Sequence, residues 1–202
     1  MRIPAVAFFV LLCLSGCAAK PAAEIREPEP GMQLVECKPS EICETQIKAQ
    51  IQIPEDWKMQ FYDAEELYRD PWTSTYALML HNEDETAWIT GGEVVIYGYS
   101  DIMEQTSNDV EGDYLYSTAE TKEWIESDST ISINEITEGV ENGYTSLYAD
   151  YTFSDDGTRY CNKYISNDEE NSNYFQVELR VLMDVADEET AAKILDSLVI
   201  AE

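Results

Sequence analysis

The sequence predicts an α+β domain, a mainly antiparallel sheet with helices packed on its faces, and three observations carry that prediction. From Tyr174 to Met183, Phe175, Val177, Leu179, Val181 and Met183 alternate with Gln176, Glu178 and Arg180, the period of a strand buried on one side. After Asp184 the period lengthens to that of a helix, with Ala191, Ile194, Leu195 and Leu198 at i, i+3, i+4 and i+7 behind a run of acids. Further back, four strand-like segments follow one another without crossover helices long enough for parallel pairing, which leaves antiparallel connection.

Taken in order, the chain opens with Met1 and Arg2 and an apolar run from Ile3 to Leu14, the pattern of an export signal and too short for a membrane span of roughly 20 residues. The run ends in Leu14-Ser15-Gly16-Cys17, which resembles the lipobox of bacterial lipoproteins. That resemblance implies cleavage after residue 16, acylation of Cys17 and a bilayer as the anchoring partner, with two or three acyl chains holding more firmly than one. From Ala18 to Pro39 the chain carries Pro21, Pro28, Pro30 and Pro39 and no apolar period, so residues 17–44 read as a lipidated cysteine and flexible tether before a single domain at 45–202. Cys37 and Cys43 are spaced for a small disulfide loop; pairing of either with Cys161, and free thiols, are the alternatives.

Within the domain, Ile47, Ala49, Ile51 and Ile53 alternate with Gln46, Lys48, Gln50 and Gln52 as a first strand, and Pro54-Glu55-Asp56-Trp57 turns it. A polar and aromatic stretch runs to Trp72. Strands are expected at Thr75–His81 and Glu93–Tyr99, with a short one near Trp88. Ser117 and Glu120 have the spacing of a capping box, starting a helix to about Glu126. Another strand holds Ile131 and Ile133. Tyr144–Phe153 and Thr158–Ile165 form a hairpin at Asp156-Gly157; a two-residue turn opposing Phe153 to Tyr160 and Asp150 to Lys163 is preferred over a three-residue turn, because it separates apolar from charged faces. Cys161 then shares a face with Asp150 and Lys163.

Two of these motifs carry a second resemblance. Ile51-Gln52-Ile53-Pro54 followed by Trp57, and Ala191 with Ile194-Leu195-Asp196-Ser197-Leu198, resemble the PsbP-like domains. The resemblance spans roughly Thr45 to Ile200 and implies an antiparallel sheet between helices, noncatalytic partnership in a larger assembly, and no active-site residues.

Charge narrows the function further. With 41 acids against 12 bases and a net charge of −29, the surface repels phosphate backbones and anionic headgroups, so nucleic acid is excluded as a partner, while 44% hydrophobic residues suffice for a core. There is no G-x-S-x-G, no H-E-x-x-H and no phosphate-cradling glycine loop, and the one histidine, His81, sits beside an acidic loop. No cofactor is expected. Asp109, Glu111 and Asp113 are acids in a loop but miss the EF-hand pattern, so no metal site is assigned. The residues best suited to contact a partner protein or neutral ligand are the aromatics Trp57, Tyr62, Tyr68 and Trp72, near Phe61 and Tyr76, with Trp72 after Pro71 as the preferred anchor. The bland alternative is that they belong to the core. The reading is a membrane-anchored, extracytoplasmic, noncatalytic binding or scaffold lipoprotein; a cation-dependent surface module and a small secreted hydrolase are its rivals.

Overall fold

The computed structural model describes residues 27–38, 47–62, 73–82, 87–100, 117–167 and 173–201. In chain order these form β1 (Met32–Cys37), β2 (Lys48–Pro54), β3 (Lys58–Tyr62), β4 (Thr73–Asn82), β5 (Trp88–Ser100), α1 (Thr118–Ser127), β6 (Ile131–Glu141), β7 (Tyr144–Phe153), β8 (Arg159–Ser166), β9 (Asn173–Leu182), α2 (Glu188–Asp196) and β10 (Val199–Ala201). All strand pairs are antiparallel. The larger sheet has the order β3-β4-β5-β9-β8-β7-β6, and a smaller one has the order β1-β2-β10. This is the expected α+β class.

The small sheet and α2 cover one face of the large sheet. Ile47, Ala49, Ile51 and Ile53 meet Val94, Ile96, Val177 and Leu179 there, joined by Ile194 and Leu195 from the helix. Ser197 ties the layers: the Gln52 amide donates to its Oγ at 2.7 Å, and that hydroxyl donates to the Ile194 carbonyl at 2.6 Å. On the opposite face α1 lays Ile125 over Leu147, Ala149, Tyr151 and Tyr164. The capping box that starts α1 is present, with the Glu120 amide donating to Ser117 Oγ and the Ser117 amide to Glu120 Oε2. Two glycines in β5 permit close approach. A Cβ at Gly91 would fall 2.5 Å from the Trp57 ring, and one at Gly92 would fall 2.2 Å from the Arg180 carbonyl oxygen, so neither position admits a side chain.

Several sequence expectations need correction. Strand β9 is covered on both sides, since Gln176 and Glu178 are buried and Gln176 donates to Thr121 of α1 at 3.0 Å. The tether expected from Ala18 to Pro39 contains β1. Its Met32 and Cys37 are buried, and Gln33 Nε2 donates to the Pro54 and Trp57 carbonyls at 3.1 and 2.6 Å, so this strand is fixed by its partner β2 rather than by its own pattern. The aromatic stretch contains β3, and the short strand near Trp88 is the start of β5. The hairpin register differs by two residues: Asp150 faces Cys161 and Tyr148 faces Lys163. Ser154–Gly157 form a four-residue loop because Ser154 bonds through both its amide and its Oγ to the Thr130 carbonyl, each at 2.8 Å, while Gly157 adopts φ +77°. An even shift leaves every side chain on its expected face.

Candidate binding cleft

Strand β8 brings Cys161 and Lys163 to the face beneath α2, and the register sets Asp150 and Tyr148 of β7 beside them. On the edge strand β6, Glu135 and Glu141 oppose Asp150 and Tyr144, so their side chains join the same face. Helix α2 stands over these strands. Asp187 caps it by accepting from the Thr190 amide at 2.8 Å, and Ala191 and Ala192 are too small to fill the space below them. The result is a cleft of about 360 Å³ with a floor of Tyr148, Cys161 and Lys163, and walls of Glu135, Glu141, Glu188, Ala192, Leu195 and Asp196.

Both ends are closed by ion pairs. At one end Arg159 grips Asp150 through Nε and Nη2 at 2.9 and 2.6 Å and reaches Glu188 of α2 through Nη1 at 2.8 Å. Burial works against the Asp150 charge, but the Arg159 fork and a hydrogen bond from Asn134 keep its carboxyl below the usual range. At the other end the Lys163 ammonium, whose side chain is only 8% exposed, lies 2.8 Å from Glu141 and donates to the Leu195 carbonyl at 3.2 Å, in the last turn of α2 where a cation suits the helix dipole.

The cleft holds its thiol inactive. Burial pushes the Cys161 thiol up, more than the hydrogen bond from the Tyr148 hydroxyl at 3.7 Å lowers it, so the sulfur stays protonated and weakly nucleophilic at neutral pH. Burial, and then the neighbouring Cys161, raise the Tyr148 phenol as well. His81 supplies no base: it lies on β4, separated from β8 by β5 and β9, and packs edge-on against Trp57 at 5.6 Å. Among the described residues no group of His, Cys, Asp or Glu has the arrangement of a metal site. The carboxylates of the lining outnumber its cations, which suits neutral or cationic groups.

The residues singled out from the sequence lie elsewhere. Trp57 is 5% exposed and belongs to the core, which removes it from any contact surface. Tyr62 is half-buried and packs against Tyr76 at 5.8 Å. Tyr68, Trp72, Cys17, Cys43 and the acidic loop with Asp109, Glu111 and Asp113 lie outside the described residues. Cys37 is fully buried as a free thiol, and Cys161 is free as well, so these two do not pair with each other. Sequence reasoning missed Tyr148, Glu135 and Glu141. The signal available for them was the shared face of Asp150, Cys161 and Lys163, which holds charged side chains on a strand otherwise bound for the core.

No family model matches the sequence, and no curated protein matches it either. Solved structures that the chain is similar to include the following three. LpqN, involved in cell envelope biogenesis of Mycobacterium tuberculosis, is 11% identical with a TM-score of 0.47, over 84% of this chain and 92% of that one. The cyanobacterial PsbP of Synechocystis is 9% identical with a TM-score of 0.43, over 83% and 92%. A protein of Bacteroides thetaiotaomicron is 16% identical with a TM-score of 0.33, over 76% of this chain and 45% of its own. A PsbP is thus among the structures the chain is similar to.

Proposed function

We propose that this chain is a membrane-anchored extracytoplasmic lipoprotein acting as a noncatalytic binding module, with its ligand site in the cleft beneath α2. The observation that carries the reading is the state of the groups in that cleft. Its thiol is held protonated, its lysine is locked between a carboxylate and a carbonyl, and its arginine is spent on two carboxylates. What is left open to a ligand is an aromatic ring, the methyl group of Ala192 and carboxylate oxygens, a lining that recognises without reacting. A protein segment or a small neutral or cationic molecule fits it.

Ala192 is exposed on the cleft wall, so Ala192→Trp is expected to fill the cleft and leave the melting temperature near that of the parent. In-cell crosslinking of the anchored protein checks the reading. Partners recovered with the parent should be lost from the variant, and an unchanged set of partners would overturn the cleft as the ligand site. Anchoring is tested separately. Leu14-Ser15-Gly16-Cys17 leads to the expectation that Cys17→Ser takes up no fatty-acid label and remains an uncleaved precursor; equal labelling of the two proteins would sink it.

A further inference from the structure

The large sheet ends in two edges of different character. Strand β3 has 5 residues and carries Lys58 over the Trp88 ring at 3.9 Å, the kind of short, charged edge that resists further pairing. Strand β6 has 11 residues, is exposed along most of its length, and among the described residues has no neighbour on its outer side. One irregularity lies between Ile133 and Glu135; from Glu135 to Glu141 its pairing with β7 is unbroken. A regular edge of that length presents a row of backbone donors and acceptors to any added strand.

The two faces of this edge differ. On the cleft side Glu135 and Glu141 flank Thr137 and Gly139, residues small enough to leave room for long side chains laid across them. On the other side Ile136 is half-buried, Glu138 is held by Lys122 of α1 at 2.6 Å, and Val140, at 75% exposure, is the most open of the large apolar residues among those described. We infer that β6 is the docking edge for an extended basic segment of a partner protein, added as an eighth strand, with lysines or arginines facing Glu135 and Glu141 and apolar residues beside Val140. Charge decides between this occupant and a second copy of the chain. Two surfaces of net charge −29 repel each other, whereas a basic strand is drawn both to the edge and to the carboxylates of the adjoining cleft. The inference rests on the binding-module reading and names the chemistry of the partner.

The test uses a labelled peptide of alternating lysine and valine, about ten residues and so one strand long, and its fully N-methylated counterpart, which keeps the charges but has no N–H to donate. The parent protein should bind the first saturably, and the second about tenfold or more weaker. Glu135→Lys and Val140→Lys, both at exposed positions, should each weaken binding by about tenfold at unchanged melting temperature. Equal binding of the two peptides would reduce the effect to charge adhesion and overturn the inference. So would indifference to both substitutions, or sedimentation showing a dimer that Glu135→Lys dissociates. Loss of the edge in any of these ways, alongside crosslinks that still depend on Ala192, would leave the binding cleft standing.

Discussion

Replacing Arg180 with methionine is expected to lower the stability of the domain by about 3 kcal/mol, the lower end of the range for breaking a buried ion pair, because a quarter of the Arg180 side chain remains exposed. For a domain of this size that is a fall in melting temperature of about 6–12 °C. Arg180 lies on β9, on the face turned toward α1, and binds Glu93 of β5 at 2.8 Å and Glu178 at 2.7 Å while its Nε donates to Asn162 of β8 at 3.1 Å. It therefore staples three adjacent strands at the centre of the sheet. Burial opposes its charge, yet Glu178 and the other groups around it outweigh that and raise its pKa further. Methionine has the volume to fill the site, so the loss measures charge rather than a cavity. The Glu178 and Glu93 side chains are only 10% and 19% exposed, and without the guanidinium two carboxylates remain with little water to replace it. Urea denaturation of Arg180→Met and of Arg180→Met with Glu178→Gln separates the terms, the double variant recovering part of the loss. An unchanged midpoint in the single variant would show that the network contributes nothing net.

What the sequence reveals about this fold divides along the range of the interactions involved. Strands β2 and β9, the capping box of α1 and the apolar stripe of α2 through Leu195 are written in neighbouring residues, and each appears where the period or the cap puts it, although the helix ends at Asp196 and leaves Leu198 outside it. Strand β1 is not. Its Leu34 is 38% exposed and its buried ends, Met32 and Cys37, lie five positions apart, so only pairing with β2 makes it a strand. The hairpin of β7 and β8 lies between these cases. Asp156-Gly157 correctly marks the turn, but the Thr130 carbonyl, distant in sequence, takes Ser154 out of the ladder and lengthens the loop. Because the slip is even, the shared face of Asp150, Cys161 and Lys163 is legible from sequence although the pairing is not. The cleft above that face is a tertiary object. Only the docking of α2 through Ala191, Ile194 and Leu195 creates its wall, and no local pattern announces it. The aromatic stretch misleads for the same reason: Trp57 reads as a contact residue until Gly91 is found to open a place for it in the core.

Stability is also expected to collapse on the alkaline side, beginning near pH 9. Burial pushes the Cys37 thiol up to about 12 from an ordinary value of 9.0, and it raises the phenols of Tyr148, Tyr151 and Tyr164 above theirs. These groups are acids that the folded chain holds neutral. In the unfolded chain the thiol ionises first and the phenols follow, so the unfolded state sheds protons that the folded state keeps, and stability falls as pH rises. The contribution of each group is complete below its unfolded pKa and is lost as pH climbs through the folded one; for Cys37 that window runs from about 9 to about 12. Across that window the loss is on the order of 4 kcal/mol, a large part of the stability of an ordinary domain. The carboxylates cannot offset this loss, because they are ionised in both states throughout the window. Urea midpoints measured upward from neutral pH, with tyrosinate absorbance followed in parallel, should show the last step of phenol ionisation, that of Tyr148, Tyr151 and Tyr164, arriving with unfolding rather than before it. Cys37→Ala should start from lower stability, owing to the lost sulfur in a fully buried site, and its midpoint should fall less than the parent's through the first part of the window, where the buried Cys161 thiol still contributes, before the tyrosines take over. A parent protein whose midpoint stays level well past pH 9, or in which Tyr148, Tyr151 and Tyr164 titrate normally while it remains folded, would mean that water reaches these side chains and that the two cores are looser than their packing indicates.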